Sequence, residues 1–160
     1  MNLISFNVRG CCSSIKRRRL TQIIQRGNAD IFLIQETKVI KMEDGIVFSM
    51  WRNFDLDWSA QNSVGNSGGI LTMWNTVRIS ACFSFNGKGF LGLNFVWNNH
   101  RLMVINVYAL CGSVDKRKLW RDLIKIKNNY PDIGWIVGWD FNAVKNREER
   151  KGLSVITTGI

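Results

Sequence analysis

Apolar and polar positions alternate over residues 3–8, the period-two signature of a strand. Residues 10–14 read as a turn. Beyond it, Leu20, Ile23 and Ile24 make one apolar stripe at helical spacing, with a basic run lying off that stripe. Ser13 or Ser14 can cap this helix, and Gly27 with Asn28 can end it. Residues 30–35 are almost continuously apolar and of strand length, which suits a strand buried on both faces. Residues 42–50 are ambiguous, a short helix being one reading. Strand-like runs follow at residues 54–60, 69–74, 77–85, 90–97 and 101–108, separated by turn segments at 62–68, 86–89 and 98–100. They read as a β-meander. Ser113 is placed to cap a second helix with Leu119, Trp120, Leu123 and Ile124 on one face, and residues 135–138 read as a last buried strand.

The order is therefore βαβ, a run of strands, then αβ. Parallel and antiparallel elements are mixed, so an α+β architecture of two sheets with helices packed outside is expected. The chain has 160 residues, 46% of them hydrophobic, which is enough for one domain with a real core. No repeat or linker composition divides it. Its longest apolar runs are strand-sized, far below the roughly 20 residues that cross a bilayer. Met1 leads directly into a strand pattern rather than a leader peptide, so an intracellular protein of nucleus or cytoplasm, not a secreted one, is expected.

Composition narrows the chemistry. The four cysteines form no C-x-x-C pair and His100 is the lone histidine, so no structural zinc site is offered. The net charge is +10. Lys16, Arg17, Arg18 and Arg19 form one basic run; Lys116, Arg117, Lys118, Arg121, Lys125 and Lys127 form another. That balance favours a polyanionic partner, although each run taken alone reads as a solvated helix face.

Four segments carry more specific information: Ser5-Phe6-Asn7-Val8-Arg9-Gly10, Ile34-Gln35-Glu36-Thr37-Lys38, Asn106-Val107-Tyr108-Ala109 and Val137-Gly138-Trp139-Asp140-Phe141-Asn142. Each sits at the C-terminal end of an expected strand, where groups from distant positions can converge. In this order and spacing they resemble the N-terminal part of the endonuclease/exonuclease/phosphatase superfamily. The wording is most similar to the apurinic-type endonuclease domains of plant non-LTR (LINE) retrotransposons. The resemblance covers residues 2–145 and implies a DNase I-like, four-layer αββα fold, incomplete at its C-terminus, with residues 146–160 as a charged, weakly structured tail.

The same resemblance implies roles. Glu36 would hold Mg²⁺ or Mn²⁺, and Asn7 would fix that site. Tyr108 would bind a phosphate oxygen, Asp140 would orient or deprotonate the attacking water, and Asn142 would donate to the phosphate. The implied activity is metal-dependent phosphodiester hydrolysis on DNA, contacted through its phosphate backbone. Outside the family pattern, Glu36, Asn7, Asn142 and Asp140 read as turn or cap residues and Tyr108 as strand filler. Alternatives are a phosphatase of the same superfamily and a non-catalytic, basic nucleic-acid-binding remnant. The chain departs from the family in lacking a closing Ser-Asp-His segment, in Trp139 where a second glycine is usual, and in Leu110 where proline is usual. Weak or absent cleavage is expected from the first of these, since a lost general acid/base costs roughly 10²–10⁴-fold.

Overall fold

The computed structural model describes residues 1–51, 53–109 and 112–140. Its elements are β1 (Leu3–Asn7), α1 (Ser14–Arg26), β2 (Ile31–Gln35), α2 (Asp44–Phe48), β3 (Leu56–Gln61), β4 (Ile70–Asn75), β5 (Ser80–Gly87), β6 (Phe90–Trp97), β7 (His100–Tyr108), α3 (Ser113–Asn129) and β8 (Gly134–Asp140). They form two mixed four-stranded sheets, ordered β1-β2-β4-β3 and β5-β6-β7-β8 among the described residues. The β1–β2 and β7–β8 pairs are parallel and the others antiparallel.

Three apolar layers hold four structural layers together. Every residue of β2 is buried, and its alternation explains how. Phe32 and Ile34 face α1 and α2, meeting Leu20, Ile24 and Val47. Ile31 and Leu33 face the opposite sheet, meeting Leu93, Phe95 and Val104. On the far side, Phe90, Met103, Ile105 and Val107 pack under Leu119 and Leu123 of α3. The result is the expected αββα sandwich.

Three local expectations change. The strands at residues 54–108 are not one meander: β3 and β4 pair with each other in the first sheet, whereas β5, β6 and β7 belong to the second. The crossing lies at residues 76–79, where the Asn75 side-chain oxygen accepts from the Val77 and Arg78 amides at 2.9 and 3.0 Å. That Asx turn diverts the chain out of the first sheet. Ser113 is not a cap; α3 starts on it, after an extended Gly112 with no side-chain bond to the helix. The face of α3 is also narrower than expected, since Trp120 and Ile124 are 45% and 57% exposed. The first helix follows expectation: Ser13 accepts from the Lys16 amide and Gly27 is the C-cap.

Candidate functional site

The strand directions bring four chain segments to one end of the sandwich. Asn7 ends β1 in register with Gln35, the last residue of β2, and Glu36 follows at once. Tyr108 ends β7 in register with Asp140 of β8. Because β4 runs antiparallel, its preceding loop at residues 62–69 lies at the same end. So does the turn before β6, where the Tyr108 amide donates to the Gly89 carbonyl at 2.9 Å.

Glu36 is presented by a segment that two neighbours clamp. The Gly10 and Cys11 amides donate to the carbonyls of Glu36 and Thr37 at 2.7 and 2.9 Å. The Thr37 and Lys38 amides donate to the carbonyls of Gly69 and Gly68 at 3.1 and 3.0 Å. Glu36 and Lys38 adopt the left-handed region, φ +58° and +56°. Long side chains avoid that region unless the surroundings impose it. Gly69 is required at φ +85°, because a Cβ there would collide with the Thr37 hydroxyl. The Glu36 carboxylate is mostly shielded, and Lys38 Nζ lies 3.1 Å from its Oε1.

Beneath this segment, one side chain ties the sheets together. Asn106, fully buried in β7, reaches across with its amide nitrogen to the carbonyls of Leu71 (3.0 Å) and Ile34 (3.3 Å) and to Thr72 Oγ1 (3.2 Å). Its oxygen accepts from Gln35 Nε2 at 2.7 Å, and that same nitrogen also donates to Ser5 Oγ at 2.9 Å. The neighbour of Glu36 is thereby bonded to a residue two positions from Tyr108. In the sequence, Gln35 and Asn106 stand out only as members of their motifs. Their signal was a polar amide inside an otherwise buried apolar run.

Beside Asn7 opens a hollow of about 240 Å³ bordered by Arg9, Lys16 and Arg19. The Arg9 amide donates to Asn7 Oδ1 at 2.9 Å. The first basic run is thus only partly a solvated face: Lys16 Nζ donates to the Arg9 carbonyl at 2.8 Å, and Arg17 to the carbonyls of Cys11 and Cys12. The Cys11 thiol is pushed up to about 11, first by burial and then by neighbouring Cys12. It is therefore an inert core group rather than a nucleophile.

The structure brings Asn7, Glu36, Tyr108 and the backbone of Asp140 to one end of the fold. The Asp140 side chain and Asn142 lie outside the described residues, as do Leu110 and the expected tail at 146–160. Trp139 does not disturb the strand: β8 keeps register with β7 through Asp140, and the indole is 55% exposed. The glycine that packing requires is Gly138, where a Cβ would press on Leu33 and lie 3.0 Å from Ser5 Oγ across the sheets. His100 opens β7 at the opposite end from Tyr108, about 26 Å away at strand rise. Among the described residues, no three His, Cys, Asp or Glu side chains gather to hold a metal, and no helix is long and apolar enough to cross a membrane.

Solved structures share this fold. A humanized TDP2 of D. rerio is similar with a TM-score of 0.69 and 14% identity over 89% of this chain and 66% of that one. The endonuclease domain of TRAS1, a telomere-specific non-LTR retrotransposon, gives 0.65 and 10% over 88% and 59%. The AP endonuclease LMAP from Leishmania major gives 0.59 and 14% over 95% and 58%. The chain thus spans roughly three fifths of the length of the structures it matches. No curated protein sequence matches it. The architecture is DNase I-like, as the motifs imply. The sequence matches the Endonuclease/Exonuclease/phosphatase family over residues 4–156, and the chain belongs to that family.

Proposed function

We propose that the chain acts on DNA phosphodiesters as a retroelement-type endonuclease domain. The observation that carries this reading is the convergence of Asn7, the clamped Glu36 and Tyr108 at one end of the sandwich, beside the basic hollow of Arg9, Lys16 and Arg19. Enzymes of the family are generally dependent on a divalent metal. The donor set fits a hard cation such as Mg²⁺ or Mn²⁺, which takes one or two carboxylates and keeps its waters. Glu36 already holds a cation in the Lys38 ammonium, and Asn7, whose Oδ1 accepts from the Arg9 amide, ends the adjacent strand. When bound, the metal would act as a Lewis acid on the phosphate.

The chain's own groups supply position and charge. Arg9 and Arg19 draw the phosphate backbone toward Asn7. Tyr108 offers a phenol to a phosphate oxygen, a donor worth most where charge develops. Asp140 and Asn142 would orient the attacking water and steady the phosphate. His100 opens β7 at the end away from Tyr108, so it supplies no acid/base group to this site. The phosphatase alternative has a structural counterpart in ANGEL2, described as a 2′,3′-cyclic phosphatase, with a TM-score of 0.65 at 13% identity. The basic excess of the chain favours the longer polyanion.

The test is nicking of supercoiled plasmid by the purified chain with Mg²⁺, with EDTA, and as Glu36→Gln. Nicking that needs both Mg²⁺ and Glu36 is expected. Nicking that persists in EDTA or in the variant would overturn the reading, and hydrolysis of small phosphomonoesters in preference to DNA would favour the phosphatase.

A further inference from the structure

A second hollow, of about 370 Å³, adjoins the other side of the site. It lies between the loop before β4 and the turn before β6, with Tyr108 on its border and Lys88 at its rim. Its volume falls within the range of small-molecule clefts, about 300–1,000 Å³. Three features describe what it would accept.

First, part of its wall is bare backbone. Gly68, Gly69 and Gly89 line it at φ +75°, +85° and +85° and bring no side chain of their own. A Cβ on Gly68 would lie 3.8 Å from the Tyr108 ring, so the glycine leaves the space beside that ring open. Second, Val64 and Ile70 add apolar contact. A slot between glycine backbone, aliphatic carbon and a phenol edge suits a flat ring more than an ion. Third, two side-chain amides line the hollow, each with one half spent. Gln61 Nε2 donates to the Gly87 carbonyl at 2.8 Å, so its oxygen remains as an acceptor. Asn62 Oδ1 accepts from the Met42 amide at 3.0 Å, so its nitrogen remains as a donor. One acceptor and one donor match the mixed edge of a nucleobase.

We infer that this hollow is a nucleobase subsite, holding the base of a nucleotide whose phosphate lies at Tyr108. The inference deepens the phosphodiesterase reading and rests on it. It supplies what the basic hollow cannot, since contacts to phosphate carry no sequence information whereas contacts to a base edge do.

The experiment is a titration of the full chain followed by amide NMR without divalent metal. The probes are the four deoxynucleoside 5′-monophosphates and deoxyribose 5-phosphate, which keeps the sugar and phosphate but has no base. The nucleotides are expected to shift the amides of Gly68, Gly69 and Gly89 and the side-chain amides of Gln61 and Asn62, and the sugar phosphate to leave them unmoved. Asn62→Asp keeps the oxygen used by Met42 and turns the donor into an acceptor, at an exposed position that tolerates it. It should reorder the four affinities, changing the ratio between best and worst base by roughly tenfold. The inference fails if no probe shifts these amides, if the sugar phosphate shifts them as the nucleotides do, or if Asn62→Asp weakens all four nucleotides equally. Hydrolysis plays no part in this readout. A chain that binds bases but never nicks would sink the endonuclease proposal and leave the base site standing.

Discussion

Asn106 is the residue on which the spacing between the two halves of the site depends. Its amide satisfies carbonyls on β2 and β4 while its oxygen holds Gln35, all away from water. Removing one partner of a buried hydrogen-bonded set leaves the rest unsatisfied, at about 1–3 kcal/mol for each group. Asn106→Ala should therefore cost about 3 kcal/mol, measured as a lower urea midpoint. At the opposite end, Asp30 does a similar task for the strand starts. Burial alone would raise its carboxyl, but the Arg78 guanidinium at 2.7 Å and the Asn2 amide at 2.7 Å hold it below its ordinary value. A carboxyl lowered in the fold stabilises above its unfolded pKa, about 3.9, and that contribution is lost as pH falls through the folded value. Asp30→Asn should lower stability at pH 7, and the gap from the parent chain should close below about pH 4. The sequence marks Glu36 and Tyr108 as candidates through the family motifs, and the fold sets both at one end of the sandwich. The part played by Asn106 was not legible, because its partners are brought together only when one sheet lies over the other.

At the scale of elements, continuous apolar runs and turn residues located every strand, yet they could not assign strands to sheets. A strand reads the same whether its neighbour in sequence is its neighbour in space, and the Asx turn at Asn75 decides that. Element β6 shows the converse, a position the apolar pattern conceals. Asn94 sits under α3, 1% exposed, and neither its amide nitrogen nor its oxygen has a partner. It is in register with Met103 of β7, which in turn is in register with Trp135 of β8, whose indole nitrogen is also unpartnered. A buried amide left unpaired costs about 1–3 kcal/mol. Asn94→Leu, similar in shape and apolar, should accordingly raise stability by about 1–2 kcal/mol, visible as a higher melting temperature. An unchanged or lower melting temperature would mean that the amide is satisfied in solution.

For the whole molecule, the charge of +10 predicts behaviour that no single residue does. Binding to DNA should fall with salt along a straight log–log line, by at least about tenfold between 50 and 200 mM, as expected when two or more counterions are released. Fluorescence anisotropy on a short duplex would measure it, and a flat dependence would argue against phosphate contacts. The two sheets also divide the chain cleanly. Residues 3–75 build the first and residues 80–140 the second, with one crossing between them. On the ribosome the first sheet can pair fully, with α1 over its outer face, while the second is still unmade. Until β6 and β7 arrive, Ile31, Leu33 and Trp74 have no sheet to lie against. Each nascent chain therefore passes through an interval in which its own inner face is a chaperone target, and that interval lengthens wherever translation slows between residues 76 and 108.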